Sequence, residues 1–78
     1  MIRKRSVTIR GHRTSFSIED EFMVQLRVLA EREGVSLARL VERIDTSRSD
    51  GENLSSALRL HVLRALTAAK SAKWPTRE

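Results

Sequence analysis

The 78-residue chain contains no cysteine, one proline, three glycines and only three aromatic residues, Phe16, Phe22 and Trp74. The lack of cysteine excludes a disulfide framework, a zinc knuckle and a thiol nucleophile, and it fits a reducing, intracellular compartment. Three glycines hardly suffice to build a phosphate-cradling loop. With so few aromatic residues, the core has to consist of leucine, valine and isoleucine.

Long apolar runs are also missing. The basic start Met1–Arg5 resembles the first part of a secretion signal, but a polar, alternating stretch follows it instead of an apolar segment. No stretch approaches the length needed to cross a membrane. The sequence therefore predicts a soluble, unprocessed, cytoplasmic protein that does not contact membranes.

The excess of positive over negative charge is confined to one end of the chain. The net charge is +5, and the first 18 residues contain five basic residues and no acidic one. The other sixty residues contain ten basic and ten acidic residues. A localised basic segment indicates a polyanionic partner such as nucleic acid, although it could also serve only to keep the protein soluble.

An alternation of apolar and polar residues follows the basic start. The apolar positions are odd-numbered in the first half, as at Val7, and even-numbered in the second half, as at Phe16. Gly11 lies between the halves, where a bulge or turn could switch the face. We expect a firm strand at Arg13–Ile18, and a weaker strand or an arm at Arg5–Arg10 that orders on binding. No internal repeat is evident.

Three helices are expected after the strand. The first spans Glu19–Glu33, with a cap from Ser17, and ends at Gly34. Ser36 caps the second, and the third follows a polar loop over residues 46–53, capped by Asn53 or Ser55. We thus expect a basic arm or weak strand at 1–12, a folded domain with the third helix at 13–70, and a frayed tail at 71–78.

One firm strand cannot be stable alone, because it leaves half of its backbone groups unpaired. The economical solution is that two copies pair their strands antiparallel across a two-fold axis. One face of the ribbon would then pack on the helices of both subunits. The expected dimer core comprises Thr14, Phe16, Ile18, Phe22, Leu26, Leu40 and Ile44.

The order of strand, capped helix, Gly-Ser turn and second helix resembles the ribbon-helix-helix family, the group of the Arc and methionine repressors. The matching segments are Arg13–Ile18, Glu19–Glu33 and Val35–Leu37. The segments Arg5–Ile9 and Asn53–Ala57 are similar to a short bacterial subgroup. The resemblance implies a mainly α fold with one N-terminal β-strand: an intertwined homodimer with a two-stranded antiparallel β-ribbon and, here, an extra C-terminal helix.

The resemblance also implies how DNA would be bound. Outward ribbon residues read base edges in the major groove, and the start of the second helix holds a phosphate. Arg13 would contribute most to specificity, although it could instead be an arginine solvated at a strand edge. Ser36 could also be an ordinary helix cap. The base-reading residues are then Arg13, Ser15 and Ser17, and the phosphate-binding residues are Arg3, Lys4, Arg5, Arg10, Val35, Ser36 and Leu37.

These features favour a sequence-specific, nucleoid-associated transcriptional regulator that binds double-stranded DNA. One alternative is the antitoxin of a toxin–antitoxin pair, with the C-terminal helix contacting the protein partner, and another is a protein-interaction adaptor that has kept the fold. We expect no enzyme activity, no cofactor and no metal. His12 and His61 have no partner at metal-ligand spacing.

Overall fold

A computed structural model describes the backbone of residues 1–71 and the side chains of residues 1–68. It contains a two-stranded antiparallel sheet followed by three helices, which confirms the predicted order of a ribbon, two helices and an added C-terminal helix, while the predicted intertwined homodimer stays a prediction. All but the first residue of the predicted tail at 71–78 lie outside the described part. The elements are β1 (Ile2–Ile9), β2 (His12–Glu19), α1 (Asp20–Glu33), α2 (Leu37–Ser47) and α3 (Leu54–Ser71).

Both strands of the ribbon come from the same chain, which differs from the prediction of a single firm strand. β1 and β2 are each eight residues long and join through a tight turn at Arg10 and Gly11. These two residues have φ angles of 51° and 79°, as the turns that suit two-residue hairpins require. The turn pairs Ile9 with His12, so odd positions of β1 share a face with even positions of β2. This register explains why the two halves alternate out of phase.

The predicted starts of the three helices and the predicted ends of α1 and α2 are correct to within two residues, but the cap of α1 differs. Ser17 still belongs to β2, and Glu19 occupies the cap position without a side-chain cap hydrogen bond. The Asp20 backbone N–H instead donates to the carbonyl oxygen of Met1, at 3.2 Å. The first strand therefore satisfies a backbone group that a capping side chain would otherwise bind.

The other caps agree with the sequence. Gly34 ends α1 in the left-handed conformation, with φ 71°. The Ser36 hydroxyl accepts from the backbone N–H of Arg39, at 3.1 Å, and the Asn53 side chain accepts from that of Ser56, at 2.8 Å. These bonds fix where α2 and α3 begin.

The core lies between the inner face of the ribbon and the three helices. Of the residues expected in a dimer core, five are buried within the single chain, while Thr14 and Phe22 are half-buried. β1 and α3 supply the burial that sequence reasoning assigned to a second subunit. The buried residues are Ile9, Phe16, Ile18, Met23, Leu26, Ala30, Leu40, Val41, Ile44, Leu54, Ala57, Leu58 and Val62.

Among the described helices, none is both long enough and apolar enough to span a bilayer.

Candidate nucleic-acid interface

The outer face of the ribbon is entirely polar along its central part. Alternation places the predicted readers of β2 on this face, and all three are exposed. The register sets a β1 residue directly opposite each of them, and these are exposed too. The six side chains form the outward face: Lys4, Ser6 and Thr8 from β1, and Arg13, Ser15 and Ser17 from β2.

Arg13 lies near the turn, opposite Thr8. Its Nε donates to the hydroxyl oxygen of Ser6 on the neighbouring strand, at 3.3 Å. This bond uses Nε, the guanidinium nitrogen nearest the backbone, and leaves the two terminal guanidinium nitrogens, Nη1 and Nη2, available for a ligand. A planar pair of donors matches the two acceptors on the major-groove edge of guanine.

The far end of β2 is attached to α3. The backbone N–H of Ser17 donates to the Ser55 hydroxyl, at 3.2 Å. Beside it, Arg59 Nε donates to a Glu19 carboxylate oxygen, at 2.8 Å. This hydrogen bond is the main cause that lowers the pKa of Glu19 below its ordinary value. The third helix therefore holds the far end of β2 in position.

Two of the predicted phosphate-binding arginines lie on the inner side of β1, next to the start of α1. Arg5 Nη2 lies 2.8 Å from Asp20 Oδ1, and Arg3 Nε lies 3.5 Å from the same oxygen. Arg5 is also half-buried, and its Nε has no hydrogen-bond partner in the structure. Both side chains face a carboxylate of their own chain, which lowers the positive charge available to an external anion.

A third basic residue of the N-terminal segment is paired as well. Arg10, in the turn, donates through Nε to Glu42, at 3.0 Å, and through Nη2 to the Thr46 hydroxyl, at 2.9 Å. These bonds hold the tip of the ribbon against α2. Within the part of the chain whose side chains are described, Lys4 and Arg13 have no carboxylate within 4 Å, and both are on the outward face.

The start of α2 lies next to the outward face. Thr8 of the ribbon lines an open groove together with Ser36 and Arg39, and Val35 borders the same groove. The first backbone N–H groups of a helix have no partner within that helix and favour anions. The backbone N–H of Val35 already donates to the carbonyl oxygen of Ala30, at 3.0 Å. Of the predicted phosphate site at residues 35–37, only Ser36 and Leu37 can therefore offer a backbone N–H to an anion, next to the predicted reading face.

Sequence reasoning did not assign the β1 half of the outward face. Ser6 and Thr8 received no role, and Lys4 was grouped with the phosphate contacts. Arg39 was also missed, although it lines the groove at the start of α2. The signal that could have found the β1 residues is the alternation itself, once the Arg10-Gly11 pair is recognised as a hairpin turn.

Among the described residues, no group of three histidine, aspartate or glutamate side chains is placed to hold a metal ion.

A family model for the ribbon-helix-helix domain matches residues 2–66. Comparisons with curated proteins and with solved structures give no match. The matched region includes both strands, α1, α2 and most of α3. The chain therefore belongs to the ribbon-helix-helix domain family.

Proposed function

We propose that this protein is a sequence-specific DNA-binding protein that inserts its ribbon into the major groove and regulates transcription. The family is a DNA-binding fold whose members are generally transcription regulators or antitoxins. One observation carries the proposal: the outward face exposes six polar side chains, and its two cations have no carboxylate partner. A two-stranded ribbon fits the width of the major groove, where each base pair presents a distinct pattern of donors and acceptors.

Arg13 is the principal reader in this proposal. Its terminal guanidinium nitrogens contact O6 and N7 of a guanine, while the Ser6 hydroxyl holds Nε. Ser15 and Ser17 contact neighbouring bases but discriminate weakly, because a hydroxyl both donates and accepts.

Phosphate contacts would fix the register of the protein on DNA. The backbone N–H groups of Ser36 and Leu37 bind one phosphate, at the edge of the groove that Thr8 and Ser36 line. Arg3 and Arg10 keep more than half of their side-chain surface exposed, and they can reach further phosphates beside their carboxylate partners. Arg5 is the least suited of the predicted contacts, because it is largely covered and bound to Asp20.

The homodimer was predicted because a single strand needs a partner strand. In the structure, β2 pairs with β1 of its own chain, so strand pairing alone no longer requires a second copy. A dimer on DNA would then bring together two complete ribbons, each in its own stretch of major groove. Binding to chromosomal DNA would also place the protein at the nucleoid.

The outer side of α3 favours an antitoxin or adaptor role as the second candidate. Leu63 and Leu66 are exposed to 55% and 45% in the single chain. Leu63 and Leu66 are neighbours on the helix surface, and a contiguous exposed apolar patch can mark a surface that binds another protein. If this role holds, replacing both with lysine abolishes binding of an identified protein partner and leaves DNA binding unchanged.

Fluorescence anisotropy with a selected DNA site and a scrambled site tests the main proposal. Arg13→Ala should remove a bidentate guanine contact, at a cost of about 1 to 3 kcal/mol on the selected site only. Arg64→Ala is the matched control, since it removes the same charge from an exposed position on α3. Equal losses from both variants, or no preference by the parent protein between the two sites, would refute sequence-specific reading by the ribbon.

A further inference from the structure

We propose that one chain presents a complete DNA-reading ribbon with approximate two-fold symmetry, in which Lys4 is a second base-reading residue and the counterpart of Arg13. This inference rests on the DNA-binding function proposed above and deepens it. It assigns Lys4 to specificity rather than to phosphate binding. It also defines the ligand as a nearly palindromic DNA element read by one ribbon.

The two strands repeat one sequence pattern nine residues apart. Residues 4–9 are KRSVTI and residues 13–18 are RTSFSI. Both segments contain a basic residue, a serine, an apolar residue, a hydroxyl residue and an isoleucine at matching places. Ile9 and Ile18, which end the two segments, are both buried. The expectation of no internal repeat is therefore wrong for the ribbon.

The strand register converts this repeat into a symmetry in space. Ser6 pairs directly with Ser15, so a two-fold axis perpendicular to the sheet at this pair exchanges the two strands. The axis relates every β1 residue to the β2 residue nine positions later, and it preserves the faces of the sheet. Lys4 and Arg13 consequently occupy diagonally opposite corners of the outward face, as two copies of one residue would in a symmetric dimer.

The surroundings of the two cations support equivalent roles. Lys4, Ser6, Arg13 and Ser15 line one shallow groove on the outward face. Arg13 is diagonally next to Ser6 on the other strand, and its Nε donates to the Ser6 hydroxyl. Lys4 is diagonally next to Ser15 in the same way. Lysine, like arginine, donates to O6 and N7 of guanine.

The spacing of the corners predicts the form of the DNA site. Lys4 is opposite Ser17, which is four residues from Arg13 along β2. Four residues of strand span about 13 Å, and base pairs are stacked about 3.4 Å apart. Because the ribbon follows the inclined major groove and not the helix axis, the two cations should contact guanines at most about four base pairs apart, and the two-fold relation places these guanines on opposite DNA strands.

The first strand is built into its own chain, so a second copy cannot easily replace it. Ile9 belongs to the core, and Arg5 is bound to Asp20 at the start of α1. The turn at residues 10 and 11 already has the backbone conformation of a closed hairpin. Replacing β1 with the β2 strand of a second molecule would disrupt all three features, whereas an exchange of β1 strands between two copies would re-form the contacts of Ile9 and Arg5 and would have to open only the turn.

Selection from a randomised double-stranded DNA pool, with the full chain, tests the proposal. We expect an imperfect palindrome with guanines on opposite strands, at most about four base pairs apart. Lys4→Ala should lower discrimination about 5- to 150-fold at one of these positions, and Arg13→Ala should do so at the other. Lys4→Arg should preserve the preference at the Lys4 position.

The outcomes separate this proposal from the general function. If Lys4→Ala weakens binding equally on all sequences while Arg13→Ala removes preference at one base pair, Lys4 contacts phosphate and only the symmetric reading is overturned. If the parent protein selects no sequence, the proposed DNA-reading function is overturned as well. Both positions are exposed, and circular dichroism of each variant should match that of the parent.

A disulfide test measures directly which strands pair. The chain has no cysteine, so the double variant Ser6→Cys/Ser15→Cys contains only the introduced pair. Directly opposite positions on one face bring their Cβ atoms to about 4.5 to 5.5 Å, which mild oxidation can bridge with small adjustments. A product with the mass of one chain is expected, whereas disulfide-linked dimers as the main product would overturn the single-chain ribbon.

Discussion

Replacing Phe16 with alanine tests whether the core is complete within one chain. Phe16 is the largest side chain on the inner face of the ribbon and is only 5% exposed. Truncation of a buried phenylalanine costs about 3 to 5 kcal/mol, through lost burial and the cavity that remains. A domain of this size has a free energy of unfolding near the lower end of about 5 to 15 kcal/mol. Phe16→Ala should therefore remove a large part of the stability.

Urea unfolding followed by circular dichroism at several protein concentrations is the appropriate measurement. Val7 is the control, because it is the β1 counterpart of Phe16 but is only half-buried, so Val7→Ala should cost less than half as much. For the parent protein, the midpoint should not depend on concentration, since the inner face is covered by the chain's own helices. A midpoint that rises over a hundredfold concentration range would show that the core is shared between two chains.

The remaining predictions concern a cap and an ion pair. Ser36→Ala should lower the free energy of unfolding by about 1 kcal/mol, because it removes the acceptor for the Arg39 N–H. The control Ser15→Ala, at an exposed position, should have little effect on the free energy of unfolding. Equal losses from the two variants would contradict a capping role for Ser36. The hydrogen bond from Arg59 lowers the pKa of Glu19 in the folded state. The stability that this hydrogen bond adds is therefore fully present above the pKa that Glu19 has in the unfolded chain, and it is lost as the pH falls through the pKa of Glu19 in the folded protein. Urea midpoints of the parent and of Glu19→Gln should hence converge as the pH falls below 4.5, the ordinary pKa of a glutamate, and a difference that does not change with pH would exclude this cause.

The helices and their ends could be predicted from the sequence because the signals are local. Gly34 adopts the left-handed conformation and Ser36 caps the next helix, as their residue types indicate. The phase of β2 was also predictable, since Phe16 and Ile18 are the apolar members of a regular alternation and are buried. Each of these inferences depends on residues within a few positions of one another.

The closed hairpin was harder to predict because two of its signals are weak. Arginine is an uncommon residue in the left-handed conformation, so Arg10-Gly11 lacks the usual asparagine or aspartate of a two-residue turn. The inner face of β1 also includes the charged Arg5, which interrupts the apolar alternation. Its pairing with Asp20, 15 residues away, compensates for this partial burial, and such a contact cannot be read from a local pattern.

The charge count correctly identified the basic segment but not the way its charge is distributed. Of the five cations in the first 18 residues, three pair with carboxylates of α1 and α2, at 3.5, 2.8 and 3.0 Å. The other two, Lys4 and Arg13, lie on the outward face. The net charge of +5 already counts these carboxylates, so internal pairing leaves the long-range attraction to DNA unchanged but lowers the charge that the three paired arginines present locally. Lys4 and Arg13 keep their full local charge on the outward face, so under the proposed function these two cations are the ones available for base edges, while the paired arginines are left for phosphates.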